Sequence, residues 1–274
     1  MKDNRIITRI PCDNAELAVE QAGRGEPILF VHAFPLNRRM WAPQLEALSA
    51  NARCIAPDLR GFGESTAGIS EWTMDRFADD LACVLDHLHI PRATVCGLSL
   101  GGYIALAFWR RHRERVRALV LADTRATADD DKGRQKRRDT IAAAREKGAR
   151  EVAVGSMEGL LGRTTRESGG EPVALARSIL EEATLEGVAG ASEAMMNRPD
   201  SSPDLPGIDV PTLVVVGEED ALTPVKDSRA MAAAIPGARL EVIPGAGHLS
   251  NLERPEAFSL LVREFVASLP TADG

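Results

Sequence analysis

The stretch Gly97-Leu98-Ser99-Leu100-Gly101-Gly102 decides the fold of this 274-residue chain. It follows an apolar run at 93–96, typical of a short buried strand, and precedes a helical pattern at 103–108. This is the G-x-S-x-G pattern in a strand-turn-helix setting, where a sharp turn exposes the serine hydroxyl and the glycines leave room for the packed strand and helix. A serine hydroxyl is a weak nucleophile at neutral pH, so the motif predicts a general base, an orienting acid and oxyanion donors elsewhere in the chain.

The rest of the chain alternates between short apolar runs and amphipathic patterns. The runs that predict strands are short and flanked by Gly or Pro: 6–10, 17–19, 28–31, 54–56, 93–96, 118–122, 213–216 and 240–243. Helical patterns lie between them at 41–49, 73–88, 101–113, 225–235 and 254–268. Strands that alternate with helices predict parallel crossovers and a sheet covered by helices on both faces.

The alternation stops between residues 124 and 210. This segment is polar and helical, is broken by Gly and Pro, and contains no convincing strand. We therefore predict a core domain built from residues 1–123 and 211–274, with a helical cap inserted at 124–210. A chain of this length is sufficient for one large α/β domain that carries such an insertion.

Composition and charge exclude several function classes. The net charge of −7 disfavours a nucleic-acid partner. The first residues lack the uninterrupted apolar core of a signal peptide, and no apolar run is long enough to span a bilayer, so we expect no membrane association. Nothing in the sequence predicts the oligomeric state.

The four cysteines have no C-x-x-C spacing, and three of them lie inside apolar stretches. They are Cys12, Cys54, Cys83 and Cys96. This usage predicts reduced core thiols and a cytoplasmic protein. We expect neither a metal nor a cofactor.

Two later loops carry the side chains that Ser99 requires. His248 lies on a glycine-rich loop after the run 240–243, whereas His87, His89 and His112 lie at a helix end or among arginines. His248 is therefore the predicted base.

The orienting acid is predicted on the loop after the run 213–216. This loop carries three carboxylates, Glu218, Glu219 and Asp220, of which we favour Asp220. Asp123, directly after the run 118–122, is the competing acid, since its loop reaches the same edge of the sheet.

The oxyanion hole is predicted from two backbone N–H groups. One belongs to Leu100, the residue after the nucleophile, and the other to Phe34 in the loop after the third strand. His32 in that loop is interpreted as a structural histidine that hydrogen-bonds the loop.

Together these motifs resemble those of the α/β-hydrolase superfamily. The matching segments are His32-Ala33-Phe34-Pro35, Asp58-Leu59-Arg60-Gly61-Phe62-Gly63-Glu64-Ser65, Gly97-Leu98-Ser99-Leu100-Gly101-Gly102, Gly217-Glu218-Glu219-Asp220 and Gly247-His248. Within the superfamily the chain most resembles the beta-ketoadipate enol-lactonase and small carboxylesterase branch, over residues 5–268, most weakly in the cap. The resemblance implies a mostly parallel eight-stranded sheet with helices on both faces. It also implies a triad of Ser99, Asp220 and His248, with Phe34 and Leu100 at the oxyanion hole.

A serine nucleophile implies acyl chemistry. Relatives of this fold that open epoxides or remove halides use a carboxylate at the elbow, whereas Ser99 predicts hydrolysis of a small-molecule ester or lactone through an acyl-enzyme. Three alternatives stay open: an enol-lactonase acting on an acidic lactone, a cofactor-free perhydrolase, and a hydrolase-like receptor for a small molecule.

Substrate contacts are predicted in and near the cap. Met157, Leu160 and Met196 either line an acyl pocket, together with Leu161 and Met195, or pack the cap helices on each other. Arg125, just beyond the sixth strand, is the best candidate to bind a substrate carboxylate. The basic run 132–138 either contributes a second such arginine or forms a solvated helix face.

Overall fold

The structure is a computed structural model that describes residues 5–69 and 71–270. Each of the eight predicted runs lies within one of its strands. The strands are β1 (Ile6–Cys12), β2 (Ala15–Ala22), β3 (Glu26–Val31), β4 (Ala52–Pro57), β5 (Ala93–Leu98), β6 (Val116–Ala122), β7 (Thr212–Gly217) and β8 (Arg239–Ile243). Residues 1–4, 70 and 271–274 of the predicted core domain lie outside the described residues.

The strands form one sheet in the order β1-β2-β4-β3-β5-β6-β7-β8. All neighbours from β4 to β8 are parallel, and β2 runs antiparallel to both β1 and β4. Since β5, β6, β7 and β8 are parallel neighbours, the loops that follow them open at the same edge of the sheet. Sites in open α/β sheets form at this edge.

Helices cover both faces of the sheet, and the central strands are buried throughout. Every residue of β5 and β7 is buried, as expected for parallel strands. One face packs against α2 (Met74–His87), α3 (Leu100–Arg111) and α10 (Val225–Ala234), and the other against α1 (Ala42–Leu48) and α12 (Pro255–Ala267). The predicted fold class is therefore confirmed.

The chain between β6 and β7 is helical. It forms α4 (Asp131–Lys147), α5 (Ala149–Gly155), α6 (Met157–Leu160), α7 (Arg163–Ser168), α8 (Glu171–Leu180), α9 (Leu185–Met196) and a 3-10 helix at Ser202–Gly207. The Asp130 side chain caps the start of α4 by accepting from the backbone N–H of Gly133 at 2.7 Å. We refer to residues 124–210 as the helical segment; its status as a separate cap domain stays a prediction.

The prediction of four reduced cysteines is wrong for two of them. Cys12 at the end of β1 forms a disulfide with Cys83 in α2, although 71 positions separate them in the sequence. The packing of α2 across β1 brings the two sulfur atoms together, and no spacing rule predicts such a contact. Cys54 and Cys96 are free and buried, as expected. The argument for a cytoplasmic protein from cysteine usage therefore loses its basis.

Among the described residues, no helix is both long and apolar enough to cross a membrane.

Candidate active site

Ser99 lies on a sharp turn between β5 and α3. Its backbone has φ 57° and ψ −112°, a conformation that is strained for a residue with a side chain. The neighbouring glycines make the turn possible: a Cβ on Gly97 would lie 2.1 Å from the carbonyl oxygen of Gly101, and a Cβ on Gly101 would lie 2.1 Å from that of Val31. The strain is therefore maintained by backbone packing on both sides of Ser99, whose side chain stays partly exposed.

His248 and Asp220 complete a chain of hydrogen bonds that begins at Ser99. His248 Nε2 lies 2.8 Å from Ser99 Oγ, and His248 Nδ1 lies 2.9 Å from Asp220 Oδ2. Both His248 and Asp220 are buried. With its ring proton on Nδ1, neutral His248 donates a hydrogen bond to Asp220 and accepts a hydrogen bond from the Ser99 hydroxyl.

The surroundings of Asp220 favour its charged form. Its Oδ1 accepts from the backbone N–H groups of Leu222 and Thr223, and its Oδ2 accepts from the Thr223 hydroxyl at 2.6 Å. Burial raises the pKa of this carboxyl, but the neighbouring His248 ring and the hydrogen bonds from His248 and Thr223 outweigh burial, so the pKa is below its ordinary value. A negative charge at this position stabilises the cation that forms on His248 when it takes the serine proton.

Thr223 is a site residue that the sequence analysis missed. Its hydroxyl also lies 3.3 Å from His248 Nδ1, and the residue is almost fully buried. The available signal was local: a Thr three positions after an Asp in a turn can donate to that Asp through both its backbone and its side chain.

Asp123, the competing acid, is engaged elsewhere. Its Oδ1 accepts from the backbone N–H of Gly217 at 2.8 Å, and its Oδ2 accepts from the hydroxyl of Ser250. Burial and the neighbouring charge of Asp220 raise the pKa of Asp123 well above its ordinary value. No described hydrogen bond joins Asp123 to His248; instead Asp123 links the end of β7 to the residues just after His248.

Two further carboxylates join the active-site loops to the helical segment. Glu219, next to Asp220, accepts from the backbone N–H and the hydroxyl of Thr164 at 2.8 and 2.5 Å. Glu253 accepts from the backbone N–H of Gly162 at 2.9 Å. The hydrogen bonds from Thr164 lower the pKa of Glu219. The remaining carboxylate of the loop, Glu218, is exposed and accepts from the backbone N–H of Gly245.

The two predicted oxyanion donors lie on the turn of Ser99 and in the loop after β3. Leu100 is the first residue of α3, where a backbone N–H has no partner within the helix. Phe34 follows β3 in a loop that contacts the elbow, because the carbonyl groups of Val31 and His32 lie against Gly101. Leu100 is thus next to Ser99 in the chain, and Phe34 lies two residues after His32 in the loop that meets Gly101.

His32 has the structural role expected of it. Its Nε2 accepts from the backbone N–H of Leu59 at 3.0 Å, and its Nδ1 lies 3.0 Å from the carbonyl oxygen of Ala33. Complete burial lowers the pKa of His32 to about 4.

Arg125 lies apart from the hydrogen-bonded chain. Its guanidinium binds Asp129 at 3.0 Å, and Arg137 from the basic run and Arg198 bind the same buried carboxylate. Arg125 and Arg198 line a small cavity whose lining contains neither Ser99 nor His248. The other residues of the run 132–138 lie on α4 with exposed or half-buried side chains.

The predicted apolar contacts lie in different parts of the helical segment. Leu160 is buried, and its carbonyl oxygen accepts from the backbone N–H of Leu249, the residue after His248. Met157 packs on the same apolar cluster as Leu160. Met196 ends α9 at a half-buried position, where its sulfur lies 3.8 Å from a guanidinium nitrogen of Arg138. Of these three residues, Leu160 alone has a described hydrogen bond to the loop that carries His248.

Comparisons with known proteins identify the fold family of the chain. A family model described as the alpha/beta hydrolase fold matches residues 26–255. The 3-oxoadipate enol-lactonase 2 of Acinetobacter baylyi is 30% identical over 232 residues, which is 85% of this chain and 85% of that protein. A thermophilic esterase from Thermogutta terrifontis, solved with malate bound, superposes with a TM-score of 0.93 at 40% identity and covers 97% of this chain and 100% of its own. The enol-lactonase of Burkholderia xenovorans LB400 superposes with a TM-score of 0.88 at 30% identity, covering 95% and 100%.

Proposed function

Because the chain belongs to the alpha/beta hydrolase fold family, we propose that it is a serine hydrolase that cleaves carboxylic esters or lactones of small molecules through an acyl-enzyme. The observation that carries the proposal is the unbroken chain of hydrogen bonds from Ser99 Oγ through His248 to Asp220, with links of 2.8 and 2.9 Å. These distances lie within the range that proton transfer between a nucleophile and its base requires.

In the first half of the reaction Ser99 is acylated. His248 Nε2 takes the hydroxyl proton as Ser99 Oγ attacks the carbonyl carbon, which gives a tetrahedral oxyanion and a protonated imidazole. Asp220 stabilises that cation and holds the ring with Nδ1 toward the carboxylate. The C–O bond to the leaving group then breaks, and His248 delivers its proton to the departing alkoxide.

The second half returns the enzyme to its starting state. Water gives a proton to His248 Nε2 and attacks the acyl carbon, and a second tetrahedral oxyanion forms. When the bond to Ser99 Oγ breaks, His248 returns the proton to the serine and the carboxylic acid leaves.

Both oxyanions need hydrogen-bond donors, and we assign that role to the backbone N–H groups of Leu100 and Phe34. Loss of one such donor costs about 3 kcal/mol of transition-state stabilisation in comparable sites. The packing of the Phe34 loop against Gly101 supports this assignment.

We further propose that the helical segment is a cap that determines which acyl groups reach Ser99. Its contacts through Leu160, Gly162 and Thr164 to the loops of Asp220 and His248 support this role. Arg125, Met157, Leu160 and Met196 remain the predicted substrate contacts.

Both enol-lactonases described above are named for action on an enol-lactone, which makes an acidic lactone the second candidate substrate. Such a substrate needs a cation near the acyl site. Arg125 is bound to Asp129, so it would have to exchange that partner for the substrate carboxylate. For this reason we favour neutral esters or lactones as the principal substrates.

A substrate panel tests the proposal. Wild type, Ser99→Ala and Arg125→Gln are assayed with p-nitrophenyl esters, simple lactones and acidic enol-lactones, and Arg134→Gln on the surface of α4 serves as the control. We expect many turnovers of neutral short esters by wild type and both arginine variants, and none by Ser99→Ala. If wild type and Arg134→Gln prefer an acidic lactone and Arg125→Gln does not, acidic lactones and not neutral esters are the principal substrates. A single slow turnover on every substrate would contradict an enzyme and support a receptor.

A further inference from the structure

Three side chains with soft metal-ligand atoms lie together at a distance from Ser99. They are Cys12 at the end of β1 and Cys83 and His87 in the last turns of α2. One ligand atom from each lies within 4.8 Å of the other two, and the described residues contain no other group of three His, Cys, Asp or Glu with this geometry. None of the three has a described contact with Ser99, His248 or Asp220, so this cluster is separate from the proposed active site.

Cys83 and His87 already have the separation of two ligands on one tetrahedral ion. They are four positions apart on one helix, which places them on the same face. Cys83 Sγ lies 3.6 Å from His87 Nδ1. A zinc ion with ordinary Zn–S and Zn–N bonds holds such ligands about 3.6 Å apart. His87 Nδ1 also lies 3.1 Å from the carbonyl oxygen of Cys83, a contact that the ring gives up when Nδ1 binds an ion. The helix therefore presents two ligands of a zinc-type site at the required separation.

Cys12 provides the third ligand once its disulfide opens. Two bonded sulfurs are about 2 Å apart, too close to bind one ion together, whereas two thiolates on zinc are about 3.8 Å apart. Reduction of the Cys12–Cys83 bond by a thiol or phosphine takes two electrons and two protons and releases both sulfurs. A metal ion then displaces the two thiol protons as it binds.

We propose that Cys12, Cys83 and His87 form a binding site for a zinc-class divalent ion in the reduced protein and a disulfide in the oxidised protein. Two thiolates and an imidazole are the donor set that such an ion prefers. His87 is exposed, so water can reach the fourth coordination position and the ion can enter from solvent. Cys12 is buried, which anchors the site to the sheet.

The probe for this site is Co²⁺, because cobalt bound to thiolate gives a near-ultraviolet charge-transfer absorption. The full chain is reduced with a phosphine, freed of reductant and titrated with Co²⁺; the oxidised chain is titrated in parallel. Cys54 and Cys96 are thiols in both forms. Any Co²⁺ absorption that comes from these two thiols therefore appears in the oxidised chain as well. We expect one Co²⁺ per reduced chain, with the thiolate absorption, and no such absorption from the oxidised chain.

Variants identify the ligands. Cys83→Ser should lose most of the thiolate absorption, and His87→Asn should weaken Co²⁺ binding by about tenfold or more. His87 is exposed, so its replacement tests the site even if the cysteine variants fold poorly. The matched control is His89→Asn, at an exposed position two residues later with φ 53°, a conformation that Asn tolerates. No thiolate absorption in the reduced chain, equal absorption in the oxidised chain, or unchanged binding in His87→Asn would overturn the proposal.

Discussion

The backbone of Gly162 in the helical segment lies directly against the backbone of Gly247, the residue before His248. A Cβ on Gly247 would lie 2.1 Å from the backbone nitrogen of Gly162, and that nitrogen donates to Glu253. A Cβ on Gly217, at the end of β7, would likewise lie 2.1 Å from the carbonyl oxygen of Gly247. The loop that carries Asp220, the loop that carries His248 and the helical segment therefore meet at three glycines. We expect the position of His248 to depend on this contact.

Replacing Gly247 by Ala should displace His248. The added methyl meets backbone atoms on both sides, so the loop has to move, and a shift of about 1 Å in a catalytic group costs on the order of 10²-fold in rate. We expect kcat for ester hydrolysis to fall by about that factor. The control is Gly155→Ala, since a Cβ there meets nothing within 4 Å. Wild-type kcat in Gly247→Ala would show that the contact does not position His248.

Replacing Thr223 by Val should weaken the support of Asp220. Val keeps the shape but removes the hydroxyl that donates to Asp220 Oδ2, which costs about 1 kcal/mol of stability and perturbs the carboxylate that orients His248. We expect an approximately tenfold lower kcat and a changed acid limb of the pH–rate profile, with recovery of both in Thr223→Ser. If kcat and the pH–rate profile of Thr223→Val equal those of wild type, the Thr223 hydroxyl has no role in the active site.

The two buried aspartates should differ strongly in catalysis. Asp220→Asn removes the charge beside His248 Nδ1, a change that lowers kcat by about 10⁴-fold in a comparable triad. Asp123→Asn keeps an acceptor for Gly217 and changes no described hydrogen bond of His248, so we expect kcat within about tenfold of wild type. Steady-state kinetics of both variants decide the assignment, and the reverse order would make Asp123 the triad acid.

Stability should fall below neutral pH because of His32. Burial lowers its pKa from 6.5 to about 4 in the folded protein, so the unfolded chain binds a proton first. The stability that depends on neutral His32 is therefore complete above about pH 6.5 and is lost as the pH falls toward 4, a loss of about 3 kcal/mol.

His32→Gln keeps an acceptor for Leu59 without titrating. Urea unfolding at pH 7 and pH 4 should therefore show a smaller pH-dependent loss in the variant, by about 3 kcal/mol. An equal loss in both proteins would mean that His32 does not carry this pH dependence.

The sequence predicted what local chemistry determines. The turn at Ser99, the strands and the order of the loops follow from glycine spacing and apolar periodicity, which act over a few residues. The disulfide between Cys12 and Cys83 and the contact between Gly162 and Gly247 join segments 71 and 85 positions apart. Such contacts depend on how helices pack on the sheet, and residue spacing does not encode that packing. The buried carboxylate of Asp129 illustrates the same limit: Arg125 is four positions away from it, but Arg198, which binds the same carboxylate, is 69 positions away and reaches it only in the folded chain.

The proposed mechanism requires that Ser99 carries an acyl group during turnover. Wild type is mixed with a p-nitrophenyl ester, quenched in acid within the first turnover, and analysed by intact mass and peptide mapping. We predict one acyl group per chain, located on Ser99, and no such adduct in Ser99→Ala, which should also lose at least about 10⁴-fold in kcat. Ester hydrolysis that persists in Ser99→Ala, or an acyl group on another residue, would contradict the proposed mechanism.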